Sequence, residues 1–202
     1  MGGQPIREGM PYNAHTRKGR VRQEMTEALF AAHRAGQVRA ASVRGSDFFG
    51  PDDPIYGENI FATALASKAI NAIGNLDQPH TWTYAPDFGK ALAMVGTRDA
   101  ALGQAWHVPS EKPMTQREFI KIISEEVGQP TKTQLGTPLM MRVLGLFNPT
   151  LREMVEMMYE FTQPFVMDSR KFTQAFGMQA TPLRQQIQET LAWVKAHPPG
   201  KH

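Results

Sequence analysis

Apolar residues near the start of the chain recur with the period of a helix. Val21, Met25, Ala28, Leu29 and Ala32 fall at i, i+4, i+7, i+8 and i+11, which places them on one face. The spacing predicts a helix over residues 16–35, stopped by Gly36, a residue that accepts the left-handed backbone of a helix end. The leader, residues 1–15, holds turn formers without periodicity and reads as irregular. Residues 38–43 form a short strand-like run that enters the turn S-D-F-F-G-P. Helix, tight turn, strand and then a loop is the order of an α/β sheet.

The pattern continues in the same alternating manner. Residues 59–67 read as helix, 69–73 as strand, 74–78 as a turn and 80–84 as a second strand-like run. Pro86 suits the first turn of a helix whose face is Phe88, Leu92 and Val95. Residues 104–108 read as a strand. Thr115 and Glu118, three apart, predict a capping box, and the helix behind them ends at Gly128. Residues 132–135 read as an edge strand, and the region after Thr137 as mostly helical, broken at Asn148 and Pro149. A last helix follows Thr181 and Pro182, with Leu183, Ile187, Leu191 and Val194 on its buried face and Trp193 beside them.

Composition narrows the class. With 202 residues, 41% hydrophobic and 20% charged, the chain suits one compact domain, or one domain with a small appendage. No apolar run approaches the ~18 residues of a membrane span, and the N-terminus has no apolar signal region, so no membrane association is expected. The absence of cysteine excludes disulfides, thiolate metal sites and a cysteine nucleophile, and fits a cytoplasmic location. The net charge of +3 is spread along the chain and does not argue for nucleic acid. Methionines grouped at 140–141 and 154–158 read as fillers of an irregular core. No His-x-x-x-His or mixed His and carboxylate cluster points to a metal.

Several polar residues have both a chemical and a structural reading. Arg17, Lys18, Arg20 and Arg22 crowd the start of the first helix, where positive charge is mildly unfavourable. That cost singles out Arg20 as a holder of a cofactor phosphate or ribose, against a solvated helix face; Arg17 and Lys18 read as surface. Arg44 stands at the end of a strand, where open α/β sheets place ligands, or else anchors its loop through an ion pair. Ser46 and Asp47 either bond a polar substrate or satisfy turn amides. Phe48 and Phe49 read as core. His80, Thr81 and Tyr84 are candidate pocket residues, although a lone histidine is more often structural. His107 reads as packed or paired. Asp87, in a first helical turn, has a structural reading as partner of the helix dipole.

In combination these segments resemble the extended short-chain dehydrogenase/reductase superfamily, the NAD-dependent epimerase/dehydratase group, in an atypical form. The resemblance runs from about residue 11 to 197 and rests on several weak motifs in the right order. R-G-S-D-F-F-G-P at 44–51 is similar to the family's Arg-x-x-Asn-x-Tyr-Gly-Pro segment. H-T-W-T-Y-A-P-D-F-G-K-A at 80–91 resembles the segment whose Asp, here Asp87, opens a helix. Q-A-W-H-V-P-S at 104–110 followed by Thr115, then D-S-R-K at 168–171 and Trp193, resemble its later signatures.

The resemblance implies an α/β fold: a partial Rossmann-like sheet, the C-terminal half, with a mostly helical substrate-binding region. It implies one domain over 1–202, with substrate-binding segments interleaved at about 52–84 and 130–180. It implies NAD or NADP as cofactor and a small-molecule substrate bearing a hydroxyl or carbonyl, such as a nucleotide sugar. The family's catalytic Tyr-x-x-x-Lys pair falls on Thr16 and Arg20, which departs from the pattern. A threonine hydroxyl exchanges protons poorly at neutral pH, and arginine does not titrate. Thr16 and Arg20 are thus the candidate catalytic positions, Arg20, Arg44 and Ser46 the cofactor-binding ones, and Asp47, His80, Thr81 and Tyr84 the substrate-binding ones. The departure leaves a second expectation open, a non-catalytic module that senses cofactor or binds protein. No G-x-G-x-x-G occurs in the chain, so the glycine-rich half that grips a dinucleotide's pyrophosphate is expected to be missing. A chain truncated in this way is expected to be poorly soluble or to form a homodimer through its unpaired strand edge.

Overall fold

The computed structural model describes residues 4–54, 56–136 and 158–198. Helix α1 (Arg17–Arg34) starts at Thr16, whose Oγ1 accepts the Gly19 amide N–H at 3.0 Å, and stops before Gly36, which takes φ +73° as expected. The predicted apolar face is present but not buried. No residue of α1 is buried, and Val21, Met25 and Leu29 are 48%, 58% and 36% exposed. Among the described residues no element covers that stripe. The described part of the leader, residues 4–15, holds no helix or strand, as expected, but it is tied down by one bridge. Ile6 lies beside Met167 in a parallel bridge, its N–H on the Val166 carbonyl at 2.7 Å and its carbonyl taking the Asp168 N–H at 2.8 Å.

The strands pair in twos. β1 (Ser42–Arg44) runs parallel to β6 (Ala105–His107), with Arg44 opposite His107 at the C-terminal ends. β2 (Asp47–Phe49) runs parallel to β5 (Trp82–Tyr84), with Asp47 opposite Trp82. β3 (Ile70–Ile73) runs parallel to β8 (Thr133–Gly136), and β4 (Pro79–His80) antiparallel to β7 (Met114–Thr115). The run predicted at 38–43 contracts to Ser42–Arg44 because its partner offers three residues for pairing. Parallel pairs need long crossovers, and helices fill them. A π-helical segment, Gly57–Ala62, runs into α2 (Thr63–Leu65), and α3 (Ala85–Gly96) joins β5 toward β6. α4 (Gln116–Val127) follows β7 and carries the predicted capping box of Thr115 and Glu118, ending at Gly128.

On α3 the buried row is Asp87, Ala91 and Val95, whereas Leu92 is 49% exposed. Val95 is buried and Phe88 packs against the core as predicted; Leu92 departs from the predicted face, and Asp87, held by partners described below, lies on the inner side instead. After the segment outside the description come α5 (Tyr159–Thr162), α6 (Arg170–Phe176) and α7 (Leu183–Ala196). Ile187, Leu191 and Val194 of α7 are buried, with Leu183 and Trp193 packed at the margin, as the spacing predicts. The core has two parts. One gathers Phe49, Phe61, Ile70, Trp82, Phe119 and Ile187; the other gathers Ala91, Val95, Trp106 and Phe172. The methionines at 140–141 and 154–157 and the break at Asn148 and Pro149 lie outside the described residues; Met158 is buried. Among the described residues no helix is long and apolar enough to cross a membrane.

Candidate functional site

Two neighbourhoods carry the polar residues singled out above. At the entry of α1 lies a cleft of about 220 Å³ whose walls include Tyr12, His15, Thr16, Gly19, Gln23 and Tyr159. The Thr16 oxygen is occupied by its capping bond. Arg20 sends its guanidinium to the His15 carbonyl at 3.0 Å, which braces the turn in front of the helix. The rings of His15 and Tyr159 lie 5.0 Å apart, so α5 closes this cleft from the far end of the chain. Arg44, at the end of β1, donates to the Tyr12 phenol oxygen at 2.5 Å, which links the strand end to the leader. Beside it His107 is buried, its amide N–H on Glu8 Oε1 and its Nδ1 on the Asp168 carbonyl, each at 3.0 Å. Burial pushes the His107 imidazole below its ordinary pKa.

The second neighbourhood is built on β2 and the run 79–84. Alternate residues of a strand share a face, so His80, Trp82 and Tyr84 line up opposite Asp47 and Phe49. His80 is 3% exposed, and its Nε2 lies 2.6 Å from Asp47 Oδ2. Ser46 Oγ is 3.5 Å from the same nitrogen. Three rings enclose the imidazole: Trp82 at 4.8 Å, Phe165 at 5.5 Å and Phe161 at 5.8 Å. Phe161 is held close because Gly74, at φ +78°, has no Cβ to strike the Phe161 carbonyl. Next to this pair stands Glu160. Burial, reinforced by the Asp47 charge, pushes its carboxyl up to about 7, against smaller opposing effects of a Tyr159 hydrogen bond and the His80 imidazole. Burial, with the charges of Asp47, Asp53 and Glu160, also drives the Tyr56 phenol well above its ordinary range. Trp82 Nε1 is a buried side-chain nitrogen without a hydrogen-bond partner, and the indole stands edge-on to the Tyr56 ring at 5.4 Å.

The structure thus brings Ser46, Asp47 and His80 together and places Thr81 and Tyr84 elsewhere. Thr81 is tied to the chain at 165–167, its N–H on the Phe165 carbonyl and its Oγ1 taking the Met167 N–H, both at 2.9 Å. Tyr84 donates its phenol to the Glu189 carboxylate of α7. Ser46 also gives its N–H to Thr83 Oγ1 at 2.8 Å, which fixes the turn after β1. Thr16, Arg20 and Arg44 sit apart from the Asp47 and His80 pair, around the leader and the α1 entry. Asp87 is 1% exposed; its carboxylate takes the Thr181 N–H and Oγ1–H, both at 2.7 Å, and Lys90 Nζ at 2.9 Å. It joins α3 to the approach of α7. Glu160 and Tyr159 were not singled out by sequence, because they follow a segment without a periodic pattern and meet their partners only in three dimensions.

No protein-family model matches the chain, and no curated protein matches its sequence. Solved structures do share its fold. The dTDP-glucose 4,6-dehydratase of Bacillus anthracis, in complex with NAD, superimposes with a TM-score of 0.75 at 15% identity, over 98% of this chain and 58% of that one. UDP-glucuronic acid 4-epimerase of Bacillus cereus, also in complex with NAD, gives 0.73 at 12% identity, over 97% and 57%. RMD of Pseudomonas aeruginosa, complexed with NADPH, gives 0.71 at 11% identity, over 96% and 60%. The chain therefore has the α/β fold of these enzymes and spans little more than half of their length.

Proposed function

We propose that this chain is the substrate-side portion of an NAD-dependent epimerase/dehydratase-like oxidoreductase acting on a hydroxyl or carbonyl, in a small molecule of the nucleotide-sugar kind. What carries the reading is the agreement of 98% of the chain with an NAD-bound dehydratase at a TM-score of 0.75. The residues present suit one end of a dinucleotide only. Arg44 at the C-terminal end of β1, Ser46 two residues beyond it, and Arg20 at the entry of α1 are the groups that would hold its ribose and phosphate side. The sequence has no glycine-rich turn for the pyrophosphate. When bound, NAD or NADP would supply a hydride acceptor or donor, and the protein's groups would orient the substrate against it. Calorimetric titration of NAD(H) and NADP(H), into this chain and into a version extended upstream, tests the reading. Binding to the extended version supports it, and no binding of either cofactor to either form overturns it.

A second reading, a non-catalytic module that senses cofactor or binds protein, draws on one observation. The Thr16 oxygen is committed to its cap and Arg20 to the His15 carbonyl, so neither position presents a titrating group. Turnover of a carbonyl or nucleotide-sugar substrate that disappears on Arg20→Ala counts against this second reading.

A further inference from the structure

We propose that Tyr12 is a positioning residue for Arg44: the leader holds this guanidinium at the carboxyl end of β1, ready to take an oxygen of a phosphate-bearing ligand. The inference rests on the preceding subsection for the assignment of Arg44 to the phosphate side of a nucleotide, and its test separates the two. Arg44 is half-buried, and its backbone carbonyl takes the Val108 N–H at 3.0 Å. Its side chain meets Tyr12 in two ways. Nη2 donates to the phenol oxygen at 2.5 Å, and the guanidinium carbon lies 5.4 Å from the ring centroid. Both contacts are with a neutral group. Among the described residues no carboxylate pairs with Arg44, so the ion pair that would make it a loop anchor is not formed. The leader's own carboxylate, Glu8, instead accepts the His107 N–H at 3.0 Å, and Asp168 pairs with Arg7 at 3.4 Å and with Arg170 at 2.6 Å.

A neutral partner orders a guanidinium without cancelling its charge. An arginine side chain gives up rotamer freedom when it is fixed, and a bond made before the ligand arrives removes that cost from binding. The phenol takes one of five N–H donors, so the rest of the planar fork is left for an anion, and that fork matches the spacing of phosphate oxygens. The place also suits such a ligand, since open α/β sheets bind theirs outside the carboxyl ends of parallel strands. Arg44 and His107 are the paired last residues of β1 and β6. Tyr12 is itself 42% exposed, and it is steadied from both sides of the leader. On one side Ile6 bridges to Met167 and Glu8 holds His107; on the other Thr16 caps α1.

The first test needs no cofactor. Protein labelled with 15N is observed at its arginine Nε–H groups, with Arg44 assigned from Arg44→Gln, and is titrated with inorganic pyrophosphate. The Arg44 signal is expected to shift and saturate. Tyr12→Phe, which keeps the ring and loses the hydrogen bond, is expected to weaken this binding about threefold, and Tyr12→Ala about tenfold. In the Arg44→Gln background neither Tyr12 substitution is expected to change what binding is left, a coupling that a merely structural role does not produce. An Arg44 signal indifferent to pyrophosphate, binding that Arg44→Gln leaves unchanged, or a Tyr12→Phe variant that binds as tightly or more tightly overturns the proposal. The second test is calorimetry with NAD and NADP on whichever form binds them, where Tyr12→Phe is expected to raise Kd by about the same factor. Cofactor binding that ignores Tyr12→Phe overturns the positioning role and leaves the functional reading standing. A coupled pyrophosphate response at Arg44, with neither cofactor bound by any form, does the reverse.

Discussion

At the scale of single residues, the polar side chains divide by what they touch. Asp87 accepts from Thr181 twice and from Lys90 while it is 1% exposed, so its carboxylate holds α3 to the lead-in of α7. Asp87→Ala leaves the partly buried N–H and hydroxyl of Thr181 without their acceptor and is expected to cost about 2 kcal/mol, read as a lower midpoint in urea denaturation. Glu160 makes stability depend on pH. Its folded pKa of about 7 lies above the ordinary glutamate value of 4.5, so the folded state holds more protons between those limits. Its contribution to stability is therefore present at low pH and is lost as pH rises from about 4.5 through 7. Wild-type Tm is expected to fall over that window more steeply than the Tm of Glu160→Gln, and equal slopes would contradict the assignment. Asp47 and His80 were legible in the sequence as polar residues of a candidate pocket. Their union was not, because it depends on the register of β2 with β5 and on where residues 161 and 165 bring their rings.

At the scale of elements, signals that act within a few residues were legible and signals that need a partner were not. The Thr115 and Glu118 capping box is closed in both directions, Thr115 N–H on Glu118 Oε2 at 2.8 Å and Glu118 N–H on Thr115 Oγ1 at 3.1 Å. Thr115→Ala is expected to cost about 1 kcal/mol, measured by denaturation, with α4 fraying first in hydrogen exchange. The buried row of α7 and the strands at Ile70–Ile73 and Thr133–Gly136 also follow from spacing and turn chemistry, whereas the pairing of those two strands does not. The α1 stripe was read correctly as a pattern, yet periodicity reports an apolar face without saying what covers it. On α3 the same limit shows at Leu92. A buried carboxylate with three partners outcompetes Leu92 for the inner face, and no hydropathy pattern places an aspartate there.

At the scale of the whole molecule, two features lie on one side of the balance between folding and association. Val21, Met25 and Leu29 of α1 stand exposed in a helix with no buried residue, and in the described pairing β1 has a single neighbour, β6. Parallel sheets are ordinarily buried on both faces, so a parallel strand with one neighbour favours contact with another layer, as does an uncovered apolar stripe. The chain matches 58% of the length of the dehydratase with which it shares its fold. In isolation the expected outcome is self-association through this side. Sedimentation velocity is expected to show a mass that rises with concentration, and Met25→Lys with Leu29→Lys to return it to the monomer. Because those side chains are already solvated, the double variant is expected to change the unfolding midpoint of the monomer by little, within about 0.5 kcal/mol for each position. A strict monomer at high concentration, or a double variant that unfolds the chain, would instead mean that α1 is covered by this chain itself.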